Sequence, residues 1–187
     1  MNLVLIVLAV VVAITGMIIL IYNGLVMKRQ RVNQAFADVD VQLKQRQNLI
    51  PNLVETVKGY AAHEQATFQQ VIAARNAAQA ANTAGDMARA EGALTQALGK
   101  LFALAEAYPD LKANTNFLQL QNELSSIEDK LAAARRFYNS AVQDYNTARE
   151  QFPGSIIAGS FSFEPREFFD VGAESRATLD EPPKVGF

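Results

Sequence analysis

Residues 3–21 form an uninterrupted apolar run of nineteen residues without a charged side chain, and Thr15 is the only strongly polar residue in it. As an α-helix this run would be about 28 Å long, close to the ~30 Å thickness of the hydrocarbon core of a bilayer. The run therefore predicts a transmembrane helix, and we place a membrane anchor at residues 1–27.

Two other interpretations of this run are less consistent with its flanks. A cleaved signal peptide has basic residues before a core of about 7–15 apolar residues and a small-residue cleavage site after it. No Lys or Arg precedes this longer run, and no Ala-x-Ala site follows it. A core helix of a soluble protein would carry a polar stripe over this length. We therefore favour a retained span.

Basic residues follow the span but do not precede it. Such residues remain on the cytoplasmic side, which predicts a single-pass protein with a short N-terminus outside and a cytoplasmic domain from about residue 28. Tyr22 falls at the inner boundary, where an amphipathic ring is favoured. The same basic stretch would also attract anionic lipid, so the bilayer is the first expected partner. The basic residues are Lys28, Arg29, Arg31, Lys44 and Arg46.

After the span the apolar pattern becomes periodic, which predicts an all-α fold. Steps of three and four residues from Val32 to Leu43 extend the anchor helix as far as a break or kink at 48–51, where Pro51 lacks a backbone donor. The pattern resumes over 53–72 across Gly59, which weakens a helix by about 1 kcal/mol relative to Ala.

Two further helices are predicted after a turn at 82–86, with Asp86 as a cap of the first. This helix is expected to end at Pro109. The second has an a/d pattern of more than four heptads from Phe117 to Ala148, an N-cap at Thr115 or Asn116, and an end at 152–154.

These elements predict an N-terminal transmembrane helix that continues into an antiparallel bundle of three to four long helices, residues 28–153, with a short irregular C-terminal tail. Residues 154–170 form an aromatic irregular segment, whose rings either pack back on the helices or await a partner. Residues 171–187 are polar, acidic and predicted to be disordered. The four rings of the segment are Phe161, Phe163, Phe168 and Phe169.

The dipeptide Tyr-Asn occurs at residues 22, 138 and 145, and the last two copies are one heptad apart. Tyr138 and Tyr145 should therefore face the same seam. Their phenols either form hydrogen bonds across the bundle or simply fill d-type positions near a solvent-exposed end of the bundle.

The chain lacks residues in the patterns that catalysis or cofactors require. It has no Cys and one histidine, His63, and Thr67 stands where the helical zinc motif needs a second His. Neither a nucleophile elbow nor a phosphate-binding loop is present. We therefore predict no catalytic, cofactor-binding or metal-ligating residue, no cofactor and no small-molecule substrate, hence not an enzyme. The carboxylates considered as an acid–base alternative, Asp38, Asp40, Glu123 and Asp129, fit a solvated surface better.

Several long strings resemble one family. They are YNGLV at 22–26, QAFADVDVQLK at 34–44, NLIPNLVETVKGY at 48–60, YPDLKAN at 108–114, YNSAVQDYN at 138–146, FP at 152–153 and FF at 168–169. These strings are similar to the signature of the bacterial LemA family over about residues 20–170, although that family usually has Trp where this chain has Phe36. The resemblance implies a bacterial inner (plasma) membrane protein with one span, a helical cytoplasmic domain, and no established activity or cofactor.

The function expected from these features is a membrane-anchored, non-enzymatic scaffold. The long coiled-coil seam and the continuous anchor helix suggest a homo-oligomer that shapes or reinforces the membrane. The alternative is an adaptor that recruits a membrane-associated protein partner, such as a protease or envelope-stress component, through the aromatic segment. A net charge of −2 argues against nucleic acid as a partner.

Overall fold

The computed structural model of the chain describes residues 2–170, so the predicted disorder of residues 171–187 lies outside the described residues. Helices make up 84% of this part of the chain, and it contains no strand, which confirms the all-α prediction. The described helices are α1 (Asn2–Lys58), α2 (Gln65–Ala80), α3 (Ala84–Ala105), α4 (Pro109–Lys112), α5 (Thr115–Glu150) and α6 (Gly154–Ser160).

Helix α1 begins with the predicted span. It is the one described helix long and apolar enough to cross a membrane, and none of its most apolar window is buried. The side chain of Leu8, for example, is 59% exposed. A core helix of a soluble protein would have buried this surface, so the exposure supports the interpretation as a span.

The predicted break at Pro51 does not end α1, which continues as one helix of 57 residues to Lys58. Pro51 has no N–H to donate to the carbonyl of Gln47 four residues earlier. In the structure the Nε of Arg75 donates to that carbonyl at 2.9 Å. The side chain replaces the missing backbone donor, and the chain instead reverses at residues 59–64, directly after Gly59.

Two predicted caps are displaced by one to three residues. The hydroxyl of Thr83 accepts from the backbone N–H of Asp86 at 3.1 Å and donates to the Asp86 carboxylate at 2.9 Å, so Thr83 is the residue that caps α3. The side chain of Asn114, ahead of the predicted caps of α5, accepts from the N–H of Phe117 at 3.0 Å. Pro109 does not terminate α3 but is the first residue of α4, where its missing donor costs nothing.

The chain divides into two compact units, and α1 and α5 contribute to both. The second unit consists of residues 39–135 and 168–170 of the described chain. In it the C-terminal part of α1 and helix α2 run antiparallel, since Gln47 and Arg75 lie equally far from the turn between them. Its apolar core includes Ile50, Leu53, Val57, Val71, Leu94, Leu101 and Leu111, each essentially inaccessible.

The first unit consists of residues 2–38 and 136–167, so it contains the span, the C-terminal part of α5, and α6. Two contacts join α1 to α5. The ring centres of Phe36 and Tyr138 are 5.8 Å apart, and the guanidinium carbon of Arg31 lies 5.3 Å from the centre of the Phe137 ring. The short helix α6 lies in the segment that was predicted to be irregular, whereas residues 163–170 have no regular structure.

Only glycine fits at the start of α6. A Cβ on Gly154 would lie 2.2 Å from the carbonyl oxygen of Ala148 in the last turns of α5. This close approach lets the chain turn directly from α5 into α6.

Candidate functional site

The residues first considered for chemistry are exposed or partly exposed side chains. His63 is exposed, Asp40 pairs with Lys44 at 2.6 Å, and Glu123 accepts from Gln119 at 3.0 Å. Residues 2–170 contain no group of three or more His, Cys, Asp or Glu side chains that could hold a metal ion.

The notable polar site is a buried ion-pair network in the second unit. Arg46 and Glu91 are 3% and 1% exposed, and their Nη1 and Oε2 atoms are 2.9 Å apart. The other carboxylate oxygen of Glu91 accepts from Gln47 Nε2 at 3.1 Å. Arg46 Nη2 donates to Thr95 Oγ1 at 2.9 Å and pairs with Glu128 at 3.1 Å. The network therefore satisfies both buried charges and links α1, α3 and α5.

Arg135 adds a second cation to the same region. Burial lowers the pKa of its guanidinium, while the charges of Glu128 and Glu91 act in the opposite direction. Its guanidinium carbon lies 4.9 Å from the centre of the Phe169 ring. Arg135 thus adds positive charge near Glu91 and the half-exposed Glu128 without forming an ion pair of its own in the described residues.

The burial of Arg46 and Glu91 was not predicted, because Arg46 was interpreted as part of the basic stretch that signals topology and attracts anionic lipid, and Glu91 was not singled out. A usable signal was present, because both charges occupy apolar positions in the helical pattern. Arg46 lies three residues after Leu43 and four before Ile50, and Glu91 lies three residues before Leu94. Opposite charges on the inward faces of two helices predict a buried pair.

A second polar feature, the tail clamp, lies in the first unit. It is formed by side chains of the last turns of α5 that donate to main-chain carbonyls of residues 163–167. The four bonds are Tyr138 Oη to Glu167 O (2.8 Å), Tyr145 Oη to Glu164 O (2.8 Å), Asn146 Nδ2 to Arg166 O (2.9 Å) and Arg149 Nε to Phe163 O (2.8 Å).

The spacing of the two tyrosines sets the register of the clamp. Seven helical residues rise about 10.5 Å, and three residues of nearly extended chain span about 10 Å. Tyr138 and Tyr145 therefore reach carbonyls three residues apart, those of Glu167 and Glu164. Burial raises the pKa of both phenols, so both remain protonated donors at neutral pH. Of the two roles left open for these tyrosines, the structure supports hydrogen bonding. The acceptors are the main-chain carbonyls of Glu164 and Glu167 rather than groups across the bundle.

The aromatic segment divides into inward and outward rings. Phe163 and Phe169 are 4% and 6% exposed, whereas Phe161 and Phe168 are 54% and 42% exposed. The ring of Phe163 packs edge-on against Tyr22 with 5.5 Å between the ring centres, and the guanidinium carbon of Arg29 lies 5.0 Å from the centre of the Phe163 ring. Half of the rings are thus core residues, an outcome that the sequence left open.

Comparison with known proteins finds related sequences. The sequence model described as "LemA family" matches residues 35–187. The chain is 24% identical over 185 residues to magnetosome protein MamQ 2 of Paramagnetospirillum magneticum, covering 85% of this chain and 68% of that protein. It is 24% identical over 174 residues to MamQ of Magnetospirillum gryphiswaldense, covering 79% and 64%. It is 23% identical over 161 residues to protein LemA of Metamycoplasma hominis, covering 84% and 73%.

Proposed function

The chain belongs to the LemA family, and from this premise we propose that it is a membrane-anchored, non-enzymatic helical scaffold. In this proposal it spans the bacterial inner membrane once, self-associates at the cytoplasmic face, and thereby shapes or reinforces the bilayer. The observation that carries the proposal is α1, a single helix of 57 residues that begins with the exposed apolar span and contributes residues to both compact units.

The proposed orientation rests on the charges beside the span. Lys28, Arg29 and Arg31 follow it within about two to three turns of helix, whereas the side chains of Met1 and Asn2 before it are uncharged. Basic residues at this position favour a cytoplasmic domain and an outward N-terminus.

The orientation can be tested with single cysteines, because the chain contains none of its own. In spheroplasts treated with a membrane-impermeant maleimide, Asn2→Cys should be labelled without permeabilisation. The exposed Ser125→Cys should be labelled only after the membrane is opened. The reverse pattern would overturn the orientation, and labelling of both sites before permeabilisation would exclude a span.

The non-enzymatic part of the proposal is supported by how the buried charges are used. Arg46 and Glu91 are paired with each other, and the acidic residues considered for catalysis lie on the surface. The names of the family and of the relatives are not those of enzymes. A scaffold requires no more chemistry than this.

Self-association must use surfaces other than the apolar seam of α5, because this seam is largely buried within the chain itself. Leu124, Leu131 and Tyr145, for example, are at most 6% exposed. In the span, Ala9, Ala13 and Gly16 fall on one face of α1, where small side chains permit close helix contact in lipid. We assign the contact between copies to that face.

This assignment predicts that Gly16→Ile will shift the protein toward monomers. A Cβ at Gly16 meets no atom within 4 Å, so the change leaves the fold of one copy intact. The mass of the full chain in lipid nanodiscs or mild detergent should decrease for Gly16→Ile. It should not decrease for Val11→Phe, which enlarges the opposite face of the span. A wild-type protein that is monomeric under these conditions would refute self-association.

The adaptor alternative has less support. It needs the aromatic segment as a free surface, but Phe163 and Phe169 are buried against the chain. Recruitment would then depend on Phe161 and Phe168 alone.

A further inference from the structure

Residues 151–163, which link α5 to the tail clamp, contain no charged side chain in thirteen positions. We call this segment the apolar tip. Three of its large apolar side chains point outward: Phe152 is 81%, Ile156 58% and Phe161 54% exposed. Single exposed apolar residues are ordinary on protein surfaces, but three large ones within one uncharged segment of thirteen residues suggest a binding surface.

The apolar tip lies at the level where the span ends. The ring of Phe161 packs edge-on against Tyr22 with 5.0 Å between the ring centres. Tyr22 directly follows the apolar run 3–21, and Arg29 lies about two helical turns further along α1. Phe163 contacts both Tyr22 and Arg29, so this end of the tip lies beside α1 between the end of the apolar run and the basic residues that follow it.

The backbone of the tip is also suited to a lipid environment, where an unpaired N–H or C=O group is costly. At the start of α6 the N–H groups of Ser155 and Ile156 donate to Gln151 O (2.8 Å) and Pro153 O (3.2 Å), and within the helix the hydroxyl of Ser160 donates to the carbonyl of Ile156. The end of α6 is closed by two bonds, from the N–H of Phe161 to Ile157 O and from the N–H of Phe163 to Ala158 O, each 3.0 Å. The second bond, with Ser162 in the left-handed region, is that of a Schellman cap.

We propose that the apolar tip inserts into the headgroup–acyl boundary of the bilayer beside the span, as a second attachment of the chain to the membrane. The proposal rests on the membrane anchoring proposed above. Lipid is the occupant because the patch adjoins Tyr22, the residue at which the lipid-facing surface of α1 ends. Amphipathic helices that lie in the plane of the interface bury their apolar face roughly 5–10 Å into the headgroup–acyl boundary.

The chain contains no tryptophan, so one introduced tryptophan reports on one position. Phe152→Trp and Ile156→Trp place it in the tip, and Leu8→Trp places it within the span. Phe137→Trp is the matched control, since this 42% exposed ring beside Arg31 lies in the same unit, roughly 14 Å beyond Tyr22 along α1. The full-length variants are reconstituted in vesicles whose lipids carry bromine near the top of the acyl chains or at their middle.

Both tip tryptophans should lose at least about half of their emission to the shallow bromines, whereas Phe137→Trp should lose little. If Leu8→Trp is quenched but neither tip tryptophan is, the tip does not insert, although the anchor stands. If Leu8→Trp is not quenched either, the anchor fails, and the tip proposal fails with it. Blue-shifted tip emission without bromine quenching would mean that the tip packs against a second protein copy, which also overturns the proposal.

Discussion

Arg46→Met should lower the free energy of unfolding by about 3–5 kcal/mol, because it leaves the carboxylate of Glu91 buried without its cation. Glu91 is 1% exposed, so water cannot replace the lost partner. The hydrogen bond from Gln47 remains but supplies no positive charge. The measurement is urea unfolding of the full chain in mild detergent, followed by the helical circular dichroism signal.

The double variant Arg46→Met with Glu91→Met should be far less destabilised than either single variant. Removing both charges removes the cost of desolvating them, and two apolar side chains can fill the space. The shortfall from additivity measures the coupling between the two residues. Lys44→Met is the control two residues away, since it breaks an exposed pair with Asp40 and should cost less than about 1 kcal/mol. A cost of that small size for Arg46→Met would contradict the burial of the network.

Phe163→Ala should destabilise the protein by about 3–4 kcal/mol, the usual cost of removing a buried ring. The ring is 4% exposed and contacts Tyr22 and Arg29, so its loss leaves a cavity between α1 and the tail. The backbone bond from Arg149 to the carbonyl of Phe163 does not depend on the ring. We therefore expect the tail to loosen, which faster proteolytic cleavage after residue 163 and a lower urea midpoint would show.

Phe168→Ala supplies the comparison for the same residue type in the same segment. Phe168 is 42% exposed, and its removal should cost about 1 kcal/mol or less. Equal and small effects of the two substitutions would mean that Phe163 is not a core residue. The adaptor hypothesis, in which these rings serve a partner, would then regain support.

The overall fold could be predicted because its signals are local and repeated. The apolar run at 3–21 and the a/d pattern of α5 each extend over many residues, so an error at one position changes little. Helix α5 was expected to run from a cap at 115–116 to an end at 152–154, and it spans Thr115–Glu150.

The boundary at Pro51 could not be predicted, because its outcome depends on a residue distant in sequence. The local rule correctly identifies a missing donor, but the substitute comes from Arg75, 28 residues away. The caps at Thr83 and Asn114 differ from those expected for a simpler reason. Several adjacent residues there have side chains able to cap, and only the backbone geometry selects among them.

The candidate site was predictable only in part. The heptad spacing of Tyr138 and Tyr145 correctly placed both phenols on one face, but their acceptors lie on a segment without periodicity. The ion pair of Arg46 and Glu91 was missed because charged residues were considered as surface features. Their positions within apolar patterns were the available signal.

The tail clamp binds main-chain carbonyls, and this limits how the sequence of residues 163–167 can evolve. The side chains at positions 164, 166 and 167 make none of the four donor bonds, so substitutions there leave those bonds in place. Proline at 166 is the exception, because the N–H of Arg166 donates to Asn146. Inserting or deleting one residue between 164 and 167 would move the acceptor carbonyl of either Tyr138 or Tyr145 out of reach, in whichever direction the segment shifted. Length, rather than chemical identity, is thus the inherited constraint on this stretch.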